Sequence, residues 1–382
     1  MRIGLDAQRI YRRKKFGMDI VVLEWIKRLQ KMDQANEYIV YVAPGPDACI
    51  DKTANFTIHK NKSRLYPVWE QLMLPAAVKR MDIDILHCTA NTAPIWCKKP
   101  LILTLHDTIS LEHRTFLKKT ETWYQKFGNL YRRFLIPRIV KKAKHLITVS
   151  ESEKQNIVRM LHVPPDFVTV ALNGIDERYH PVTDPQAQDT FRRKYRLPEH
   201  YIAFIGNTDP RKNVGNAVRA YAEYFEKSGK KRQLVMLHND PKAFKALLEK
   251  WHMDHLKEHI RTLGYIESAD MAIFYSLADM FLYPSRREGF GMPILEAMAC
   301  GTPVVTSNVS SMPEVGGDAA LYASPDNYQE IAGQMLNIET HPELREKMVT
   351  AGFEQCKKFD WDNAVQQILN VYQKVYAQAK HL

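Results

Sequence analysis

Two glutamates in residues 285–305, SRREGFGMPILEAMACGTPVV, are the first residues that suggest a chemistry. Glu288 and Glu296 stand eight positions apart, with Gly289 and Gly291 between them. A carboxylate accepts hydrogen bonds from vicinal hydroxyls, and glycine lets backbone N–H groups approach a ligand closely. The pattern therefore favours binding of a sugar ring and a ribose. The alternatives are dipole stabilisation by Glu296 near a helix N-terminus and an exposed loop acid at Glu288.

A second candidate site lies in residues 203–221, AFIGNTDPRKNVGNAVRAY. Arg211 and Lys212 precede a helical pattern that begins near Asn213, and Asn is a good helix N-cap. A helix N-terminus attracts phosphate, Arg can hold two phosphate oxygens at once, and Lys adds a compact charge. Because the loop follows a strand of a doubly wound pattern, we predict a phosphate site here. The alternative is a solvated Arg-Lys pair.

The elements that must position these residues alternate between short apolar runs and longer amphipathic stretches. Candidate strands cover residues 2–6, 38–43, 84–88, 101–107, 145–150, 201–206, 233–237, 280–285, 302–307 and 319–323. Several are apolar throughout, which is typical of parallel strands covered on both faces. The alternation continues on both sides of a polar break near residues 175–195, so a chain of 382 residues is predicted to form two doubly wound α/β domains.

Charge is divided unevenly along the chain. Residues 1–175 hold 29 Lys and Arg against 16 Asp and Glu, whereas the rest holds 25 against 27. This asymmetry points to an acidic partner of the first half, such as nucleic acid, anionic lipid or a phosphorylated substrate; the alternative is a solvated, lysine-rich surface. Residues 123–145 fit an anionic membrane surface and equally a one-sided helix with snorkelling lysines. Pro137 is expected to kink or end that helix.

Several features indicate the compartment. The five cysteines have no metal-like spacing, which indicates free thiols in a reducing environment. The N-terminus lacks the apolar region of a secretory signal, and no apolar run approaches the roughly 20 residues that span a bilayer. We therefore expect a cytoplasmic protein, either soluble or peripheral on the inner face of the plasma membrane.

The stretch EGFGMPILE resembles the E-x7-E signature of retaining glycosyltransferases of family 4, group 1 type. Residues 263–327 are similar to the C-terminal core of that family nearly throughout, and PRKN at 210–213 resembles its diphosphate-binding loop. Shorter matches occur at LTLHD (103–107) and ITVSE (147–151). The resemblance implies the GT-B fold, in which two doubly wound Rossmann-like domains face a central cleft.

The resemblance also implies a division of labour between domains. Residues 1–178, closed by LNGID (172–176), would form an acceptor-binding domain, and 179–359 a nucleotide-sugar-binding domain. The final helix, about 360–382, would cross back to the first domain. The basic first domain would then gather a phosphorylated lipid acceptor or the membrane that carries it.

Roles for individual residues in the C-terminal half follow from the same resemblance. Arg211 and Lys212 would neutralise the leaving diphosphate, and Glu288 would hold hydroxyls of the transferred sugar. Glu296 would bind the nucleotide ribose. Backbone N–H groups that assist Glu288 would come from three successive residues, Gly289, Phe290 and Gly291.

Five further positions complete the predicted site. Tyr265 and Ile266 would flank the base, and His106 resembles the active-site histidine of the family near the transferred sugar. The alternative for His106 is a buried strand-end histidine satisfied by its neighbour Asp107. Gly17, in the loop after the first strand, resembles the glycine that lets the first helix approach the diphosphate. At Asn207 many members have Arg, so one phosphate cation is missing, and Arg211 is expected to compensate.

The implied reaction moves a hexose, with retention, from a nucleotide diphosphate sugar such as GDP-mannose or a UDP-sugar. The acceptor would be a glycan or lipid-linked saccharide in cell-surface polysaccharide or glycoconjugate synthesis. Catalysis would depend on placing the two substrates together and stabilising the leaving group. No cofactor or metal is expected, and the D-x-D-like spacing at residues 82–84 is interpreted as incidental.

Two other classes of protein fit parts of the pattern. A nucleotide-sugar epimerase of the same fold would use a similar diphosphate site, and its product would be an epimerised nucleotide sugar instead of a glycoside. A nucleic-acid or membrane binding module explains the basic half, but it does not explain Glu288, Glu296 and the PRKN turn. Salt-dependent DNA binding would favour that module; we expect no nucleic-acid partner.

Overall fold

The computed structural model divides the chain into two compact α/β units. It describes residues 1–63, 65–112, 123–207, 209–237 and 241–380. The first unit comprises Met1–Gly174 and Asp360–Leu382, and the second comprises Ile175–Phe359. In the described part of the chain, none of the helices combines the length and the apolar composition that crossing a bilayer requires.

Seven described strands form a sheet in the first unit, in the order β3-β2-β1-β4-β5-β6-β7. Every neighbouring pair is parallel, as the apolar runs predicted. The strands are β1 (Arg2–Asp6), β2 (Glu37–Val42), β3 (Phe56–Lys60), β4 (Ile85–Cys88), β5 (Leu101–Thr104), β6 (His145–Thr148) and β7 (Val168–Val170).

Five α-helices connect these strands in the described residues. They are α1 (Gly17–Met32), α2 (Tyr66–Val68), α3 (Leu74–Met81), α4 (Trp123–Val140) and α5 (Glu151–Leu161). A π-helical turn, Trp69–Met73, lies between α2 and α3. Pro137 lies inside α4, which continues to Val140, so Pro137 does not end the helix.

The second unit has a six-stranded parallel sheet in the described residues, in the order β10-β9-β8-β11-β12-β13. The strands are β8 (Tyr201–Ile205), β9 (Gln233–Leu237), β10 (Ile260–Leu263), β11 (Met280–Tyr283), β12 (Val304–Ser307) and β13 (Ala320–Ala323). The order reverses between β8 and β11. Doubly wound sheets bind ligands beyond the carboxyl ends of the strands at such a switch point.

Helices cover this second sheet. They are α6 (Pro185–Tyr195), α7 (Val214–Lys227), α8 (Pro241–Lys250), α9 (Met271–Ser276), α10 (Met292–Ala299), α11 (Met312–Gly316), α12 (Tyr328–Thr340) and α13 (Pro342–Cys356). Helix α7 buries one face, on which Val214, Ala217, Val218 and Tyr221 recur with the 3.6-residue helical period. Helix α6 lies within the predicted polar break. Its only buried residue is Phe191, so periodicity did not reveal it, and Asp184 caps it by accepting from Gln186 N at 3.0 Å.

Three strands were missed by the sequence prediction: β3, β7 and β10. All three lie at the edges of their sheets. They are three to five residues long and half of their positions or more are only partly buried or exposed. An edge strand is covered on fewer sides than a central one, so it carries polar residues and does not stand out as an apolar run.

The last helix, α14 (Trp361–Lys380), packs within the first unit. Its Tyr372 hydroxyl is hydrogen-bonded with His87 Nδ1 at 2.7 Å, on strand β4. Where the helix begins, Gly174 faces Trp361 so closely that an added Cβ would lie 2.3 Å from the Trp361 backbone nitrogen. Only glycine leaves room for this approach.

Buried His87 should make stability depend on pH. Burial, together with the charge of His106, lowers the pKa of His87 from 6.5 to about 3. The unfolded chain therefore takes up a proton below pH 6.5 that the folded protein takes up only near pH 3, so stability is lost as the pH falls through this range. The loss should approach about 1.4 kcal/mol per pH unit. Urea unfolding at a series of pH values measures it.

The matched variant for this measurement is His87→Gln, which keeps a polar amide between Tyr372 and Thr104 and removes the titrating ring. The free energy of unfolding of the wild type should fall more steeply with decreasing pH than that of the variant. Parallel curves for the two proteins would contradict the prediction.

Candidate active site

The two loops singled out by sequence meet at the switch point of the second sheet. One joins β8 to α7 and the other joins β11 to α10, and β8 and β11 are parallel neighbours. The Arg286 N–H donates to the carbonyl of Arg211 at 2.8 Å and thereby ties the loops together. The structure thus brings Arg211, Lys212 and Glu288 into one place.

Lys212 and Glu288 form an ion pair at the centre of this site. Lys212 Nζ lies 2.8 Å from Glu288 Oε1, and both side chains are largely buried, with 15% and 13% of their surface exposed. Lys212 Nζ also donates to the Tyr283 hydroxyl at 2.6 Å. Sequence reasoning missed Tyr283; its signal was its place at the end of β11, directly before the glutamate loop.

Electrostatics keep both members of the pair charged. Burial acts to lower the pKa of Lys212, but the Glu288 carboxylate outweighs it and raises that pKa above its ordinary value. Burial acts to raise the pKa of Glu288, but the charges of Lys212 and Arg211 outweigh it and lower that pKa. The site therefore holds a fixed cation and a fixed carboxylate side by side, which suits a ligand that carries both phosphate and hydroxyl groups.

Arg211 and Asn207 belong to a tight turn that Asp209 organises. Asp209 Oδ1 accepts from the Arg211 backbone N–H at 3.0 Å, and Oδ2 accepts from Arg211 Nε at 2.9 Å. The backbone N–H of Asp209 in turn donates to Asn207 Oδ1 at 2.8 Å. Asn207 therefore shapes the turn and brings no charge, while the charge of Arg211 helps to lower the pKa of Glu288.

Asn213 occupies the predicted N-cap position of α7, but its side chain does not cap the helix. Its backbone is left-handed, with φ 56° and ψ 36°, whereas the capping hydrogen bond requires an extended backbone. Its Nδ2 instead donates to the carbonyls of Pro284 at 2.9 Å and Pro325 at 2.6 Å. Asn213 thus cross-links three loops at the switch point.

Substitution of Asn213 should mainly cost stability. Asn213→Ala leaves two carbonyls without their donor and keeps a β-carbon in the left-handed region, so we expect a loss of about 2–4 kcal/mol in the free energy of unfolding. Asn213→Gly loses the same hydrogen bonds but relieves the backbone, and should be about 1 kcal/mol more stable than the Ala variant. Chemical denaturation measures both; equal stability of all three proteins would contradict this account.

The glycine loop before α10 is held by two serines that sequence reasoning missed. Ser310 Oγ donates to the Glu288 carbonyl at 2.7 Å, and Ser311 Oγ donates to the Phe290 carbonyl at 2.6 Å. The Phe290 ring is buried against Phe359, 5.7 Å between centroids. Gly291 has φ 109°, a value that favours glycine, and directly precedes α10. The side chain of Phe290 is turned into the core, and contact of a ligand with the backbone N–H groups of Gly289, Phe290 and Gly291 stays a prediction.

Glu296 lies one turn into α10 and has tyrosine partners. The Tyr275 hydroxyl donates to Glu296 Oε2 at 2.8 Å, and Tyr179 is hydrogen-bonded to the same carboxyl group. Burial raises the pKa of Glu296, and these hydrogen bonds offset only part of the effect. The arrangement fixes the orientation of the carboxyl group, so it can present acceptor oxygens to hydroxyls of a ligand.

The residues predicted to flank the base follow strand β10. Tyr265 is half exposed, with 50% of its surface accessible, and Ile266 is buried. Strand β10 is separated from β11 by β9 and β8. The structure therefore places both residues on the second unit, in the loop after its edge strand, and their contact with a base stays a prediction.

His106 and Gly17 lie in the first unit. His106 is buried and stacks on Trp25, 5.9 Å between ring centroids. Its Nε2–H donates to the carbonyl of Thr89 at 2.8 Å, so the buried ring is satisfied by Thr89 and not by Asp107, the partner that the alternative interpretation named. Asp107 instead accepts from the Ile109 N–H at 3.1 Å. Burial lowers the pKa of His106, so the ring is neutral near pH 7.

The sequence analysis placed Gly17 in the loop after the first strand. In the structure it is instead the first residue of helix α1. Among the described residues, and apart from its chain neighbours and its own helix backbone, an added Cβ at Gly17 would meet no atom within 4 Å. The residue is therefore not required by the packing of the first unit. This open space beside a helix N-terminus is compatible with a ligand that approaches the backbone closely.

Both aspartates of the D-x-D-like spacing have partners elsewhere in the first unit. Asp82 pairs with Lys99 at 2.9 Å, and Asp84 accepts from the Arg2 N–H at 2.7 Å. Within the described ranges, no group of three or more His, Cys, Asp or Glu is placed to hold a metal ion. The described cysteines are free thiols: Cys49, Cys88, Cys97, Cys300 and Cys356.

Among curated proteins, the chain is similar in sequence to two O-antigen chain mannosyltransferases. The chain is 34% identical over 231 residues to O-antigen chain mannosyltransferase B of Escherichia coli, a match that covers 60% of each protein. It is 28% identical over 307 residues to O-antigen chain mannosyltransferase RfbU of Salmonella typhimurium, covering 80% of this chain and 77% of that one. The first match thus spans less than two thirds of the relative.

Comparison with solved structures and family models addresses the fold and the family. Sucrose-phosphate synthase from Thermosynechococcus elongatus superposes with a TM-score of 0.74 over 99% of each chain at 18% identity, which shows the GT-B fold. The model "Glycosyl transferases group 1" matches residues 187–355, and "Glycosyltransferase Family 4" matches residues 17–179. Together the two models span most of both units, and the chain belongs to glycosyltransferase family 4.

Proposed function

We propose that this protein is a retaining hexosyltransferase that binds its nucleotide diphosphate sugar on the second unit. The observation that carries the proposal is the Lys212–Glu288 pair, held beside Arg211 at the switch point of the sheet. Phosphate needs a cation and sugar hydroxyls need an acceptor, and here the two groups lie 2.8 Å apart.

When the donor binds, Lys212 and Glu288 must exchange their contact with each other for contacts with the donor. Lys212 and Arg211 would turn toward the diphosphate, and Glu288 would accept hydrogen bonds from hydroxyls of the transferred sugar. Tyr283 would keep Lys212 in position through its hydroxyl. As the glycosidic bond breaks, negative charge grows on the leaving diphosphate, and preorganised cations stabilise it without reorganisation.

The acceptor would attack the same face from which the diphosphate departs, because no residue of the predicted site is placed as a nucleophile. The rate would then depend on holding donor and acceptor together. His106, neutral and oriented by Thr89, would act on the transferred sugar as a hydrogen-bonding group. Glu296 would hold the ribose, and Tyr265 with Ile266 would flank the base.

The named relatives support a particular sugar. Both are O-antigen chain mannosyltransferases, so we infer mannose transfer from GDP-mannose to a saccharide or lipid-linked saccharide in cell-surface polysaccharide synthesis. A UDP-sugar is the alternative donor. The base-flanking pair Tyr265 and Ile266 would decide between them.

The test is a thermal-shift screen against GDP-, UDP-, ADP- and dTDP-sugars with the wild type, Glu296→Ala and Lys212→Ala. Stabilisation by one donor, weakened in both variants, is expected because a ligand that binds only the folded state raises its melting temperature. Lys347→Ala, an exposed change on α13, is the control. Stabilisation that survives both site variants would refute the donor site.

Product analysis separates the proposed transferase from an epimerase. With the donor found in the screen and a saccharide acceptor, a new glycoside is expected. An epimerised nucleotide sugar formed without acceptor would replace the proposal with the epimerase alternative.

Gly17 offers a test that leaves folding unchanged. Gly17→Leu places its β-carbon where no atom beyond its chain neighbours and its own helix backbone lies within 4 Å, at a helix position where Leu is favoured over Gly. The melting temperature should therefore stay the same or rise. If the donor approaches this backbone, transfer should fall about 100-fold, because small displacements of reacting groups cost that much. Unchanged transfer would remove Gly17 from the site.

A further inference from the structure

Exposed apolar side chains are concentrated in the first unit. Among the described residues, all large apolar side chains that are exposed lie there, except Tyr265. Trp96 exposes 78% of its surface and Leu72 66%. Single exposed apolar residues are common, but a contiguous group marks an interaction surface.

Three of these residues share one face of α4. Phe127, Leu130 and Phe134 are spaced by three and four positions, which places them along one side of a helix. Each exposes more than half of its surface, 57%, 51% and 52% respectively. The helix therefore presents an exposed apolar stripe.

Contacts join this stripe to the segment that includes α2 and the π-helical turn. The hydroxyl of Tyr131 on α4 and that of Tyr66 on α2 both donate to Glu70, at 2.6 and 2.7 Å. Leu65 and Leu72, which flank this junction in sequence, expose 64% and 66% of their surface. The exposed leucines and the α4 stripe therefore belong to one region of the first unit.

Trp96 extends the same region at the C-terminal end of α4. Lys142, two residues beyond α4, donates from Nζ to the carbonyl of Ile95 at 3.0 Å, and its Nζ lies 4.7 Å from the centre of the Trp96 ring. The Ile95 N–H donates to Gln71 Oε1 at 2.9 Å, which ties the Trp96 loop to the π-helical turn. We define the α4 surface by Leu65, Leu72, Trp96, Phe127, Leu130 and Phe134.

Charge decides what this surface fits. Residues 126–144 contain seven Lys and Arg and no Asp or Glu. Arg138 lies over the Phe134 ring at 3.6 Å, and Lys142 lies over Trp96, so cations sit directly beside the exposed aromatic rings. Aromatic and aliphatic side chains that enter the headgroup region, surrounded by cations that contact anionic headgroups, are the chemistry of peripheral membrane binding.

We propose that the α4 surface docks on an anionic bilayer. The aromatic rings and leucines enter the headgroup region, and the cations of residues 126–144 bind phosphate groups of the lipids. Binding is peripheral, since none of the described helices can cross a membrane. The inference does not depend on the donor site, because every residue that carries it lies in the first unit and none takes part in the proposed transfer.

The test is co-sedimentation of the whole protein with vesicles of phosphatidylcholine alone or mixed with phosphatidylglycerol. The wild type should bind the mixed vesicles and not the neutral ones. Phe127→Ser with Phe134→Ser should weaken binding about tenfold or more by removing apolar contacts. Arg138→Glu with Lys142→Glu should weaken it by more than about fivefold per position, since each cation is reversed and not merely removed.

The control is Met32→Ser, an exposed apolar residue at the end of α1 that is not part of the surface; it should bind as the wild type does. Trp96 gives a direct readout: brominated phosphatidylglycerol should quench its fluorescence, and Trp96→Phe should reduce the quenching. Circular dichroism and chemical denaturation confirm that each variant is folded and as stable as the wild type.

Three outcomes would overturn the proposal. The first is absence of binding to the mixed vesicles. The second is binding that the charge variant abolishes and the serine variant leaves unchanged, because this would show electrostatic adsorption without apolar docking. A concentration-dependent dimer that the serine variant dissociates, without vesicle binding, would assign the surface to self-association.

Discussion

Lys212→Met should lower the rate of sugar transfer about 100- to 1000-fold, the effect of removing one preorganised group that stabilises charge in a transition state. Lys212 is held at the switch point by Glu288 at 2.8 Å and Tyr283 at 2.6 Å. Methionine retains the apolar stem, so packing changes little while the charge is lost.

The measurement is release of nucleoside diphosphate with the donor found in the screen and a saccharide acceptor. The kcat should fall more than the KM rises, because the charge on the diphosphate increases as the bond breaks. Lys347→Ala is the control for the loss of an exposed cation. An equal fall in the control, or a change in KM alone, would show that Lys212 does not stabilise the leaving group.

Glu288→Ala should abolish measurable transfer and also destabilise the second unit by about 3 kcal/mol, because it leaves the largely buried ammonium of Lys212 without its carboxylate. Glu288→Gln keeps an oxygen acceptor for Lys212 and should cost less stability. The two substitutions therefore separate the loss of charge from the loss of the hydrogen bond. Chemical denaturation and the transfer assay are run on both proteins.

The double variant Lys212→Met with Glu288→Ala supplies the decisive comparison. Once the lysine charge is gone, the alanine should cost much less stability than it does in the wild-type background, which is the coupling expected of a buried pair. Additive losses would show that the two residues do not depend on each other. Catalytic effects should be strongly non-additive as well, because the two groups act on one ligand.

The sequence determined most of the architecture of this protein. Uniformly apolar runs such as YIAFI and MFLY predicted buried parallel strands. Both ends of every described central strand lie within two residues of the predicted ends, except that β5 ends three residues earlier than predicted. Pro293 lies in the first turn of α10 and Gly301 just past its end, which is where helices favour these two residue types. These features are local, since they depend on periodicity and on the conformations that Pro and Gly favour.

The sequence also predicted that the candidate site residues lie on loops at the ends of strands. Arg211, Lys212 and Glu288 were predicted at strand ends, and parallel order brings the carboxyl ends of β8 and β11 to one edge of the sheet. It did not predict which groups contact each other. Asn213 has the residue type of a helix cap, yet its left-handed backbone turns the side chain toward Pro284 and Pro325.

The tertiary structure determined the contacts between residues that lie far apart in the chain. The Lys212–Glu288 pair joins positions 76 residues apart, and the supporting hydroxyls of Tyr283, Ser310 and Tyr275 gain their roles only when separate loops converge. The same holds for the α4 surface. From the sequence, residues 123–145 fitted a membrane-binding helix and a one-sided buried helix equally well. The exposure of the aromatic rings, on which the proposed membrane docking rests, is seen only in the structure. Residue types and their spacing can be seen in a short stretch of sequence. The burial of a side chain and its hydrogen-bond partners depend on which helices and strands pack together.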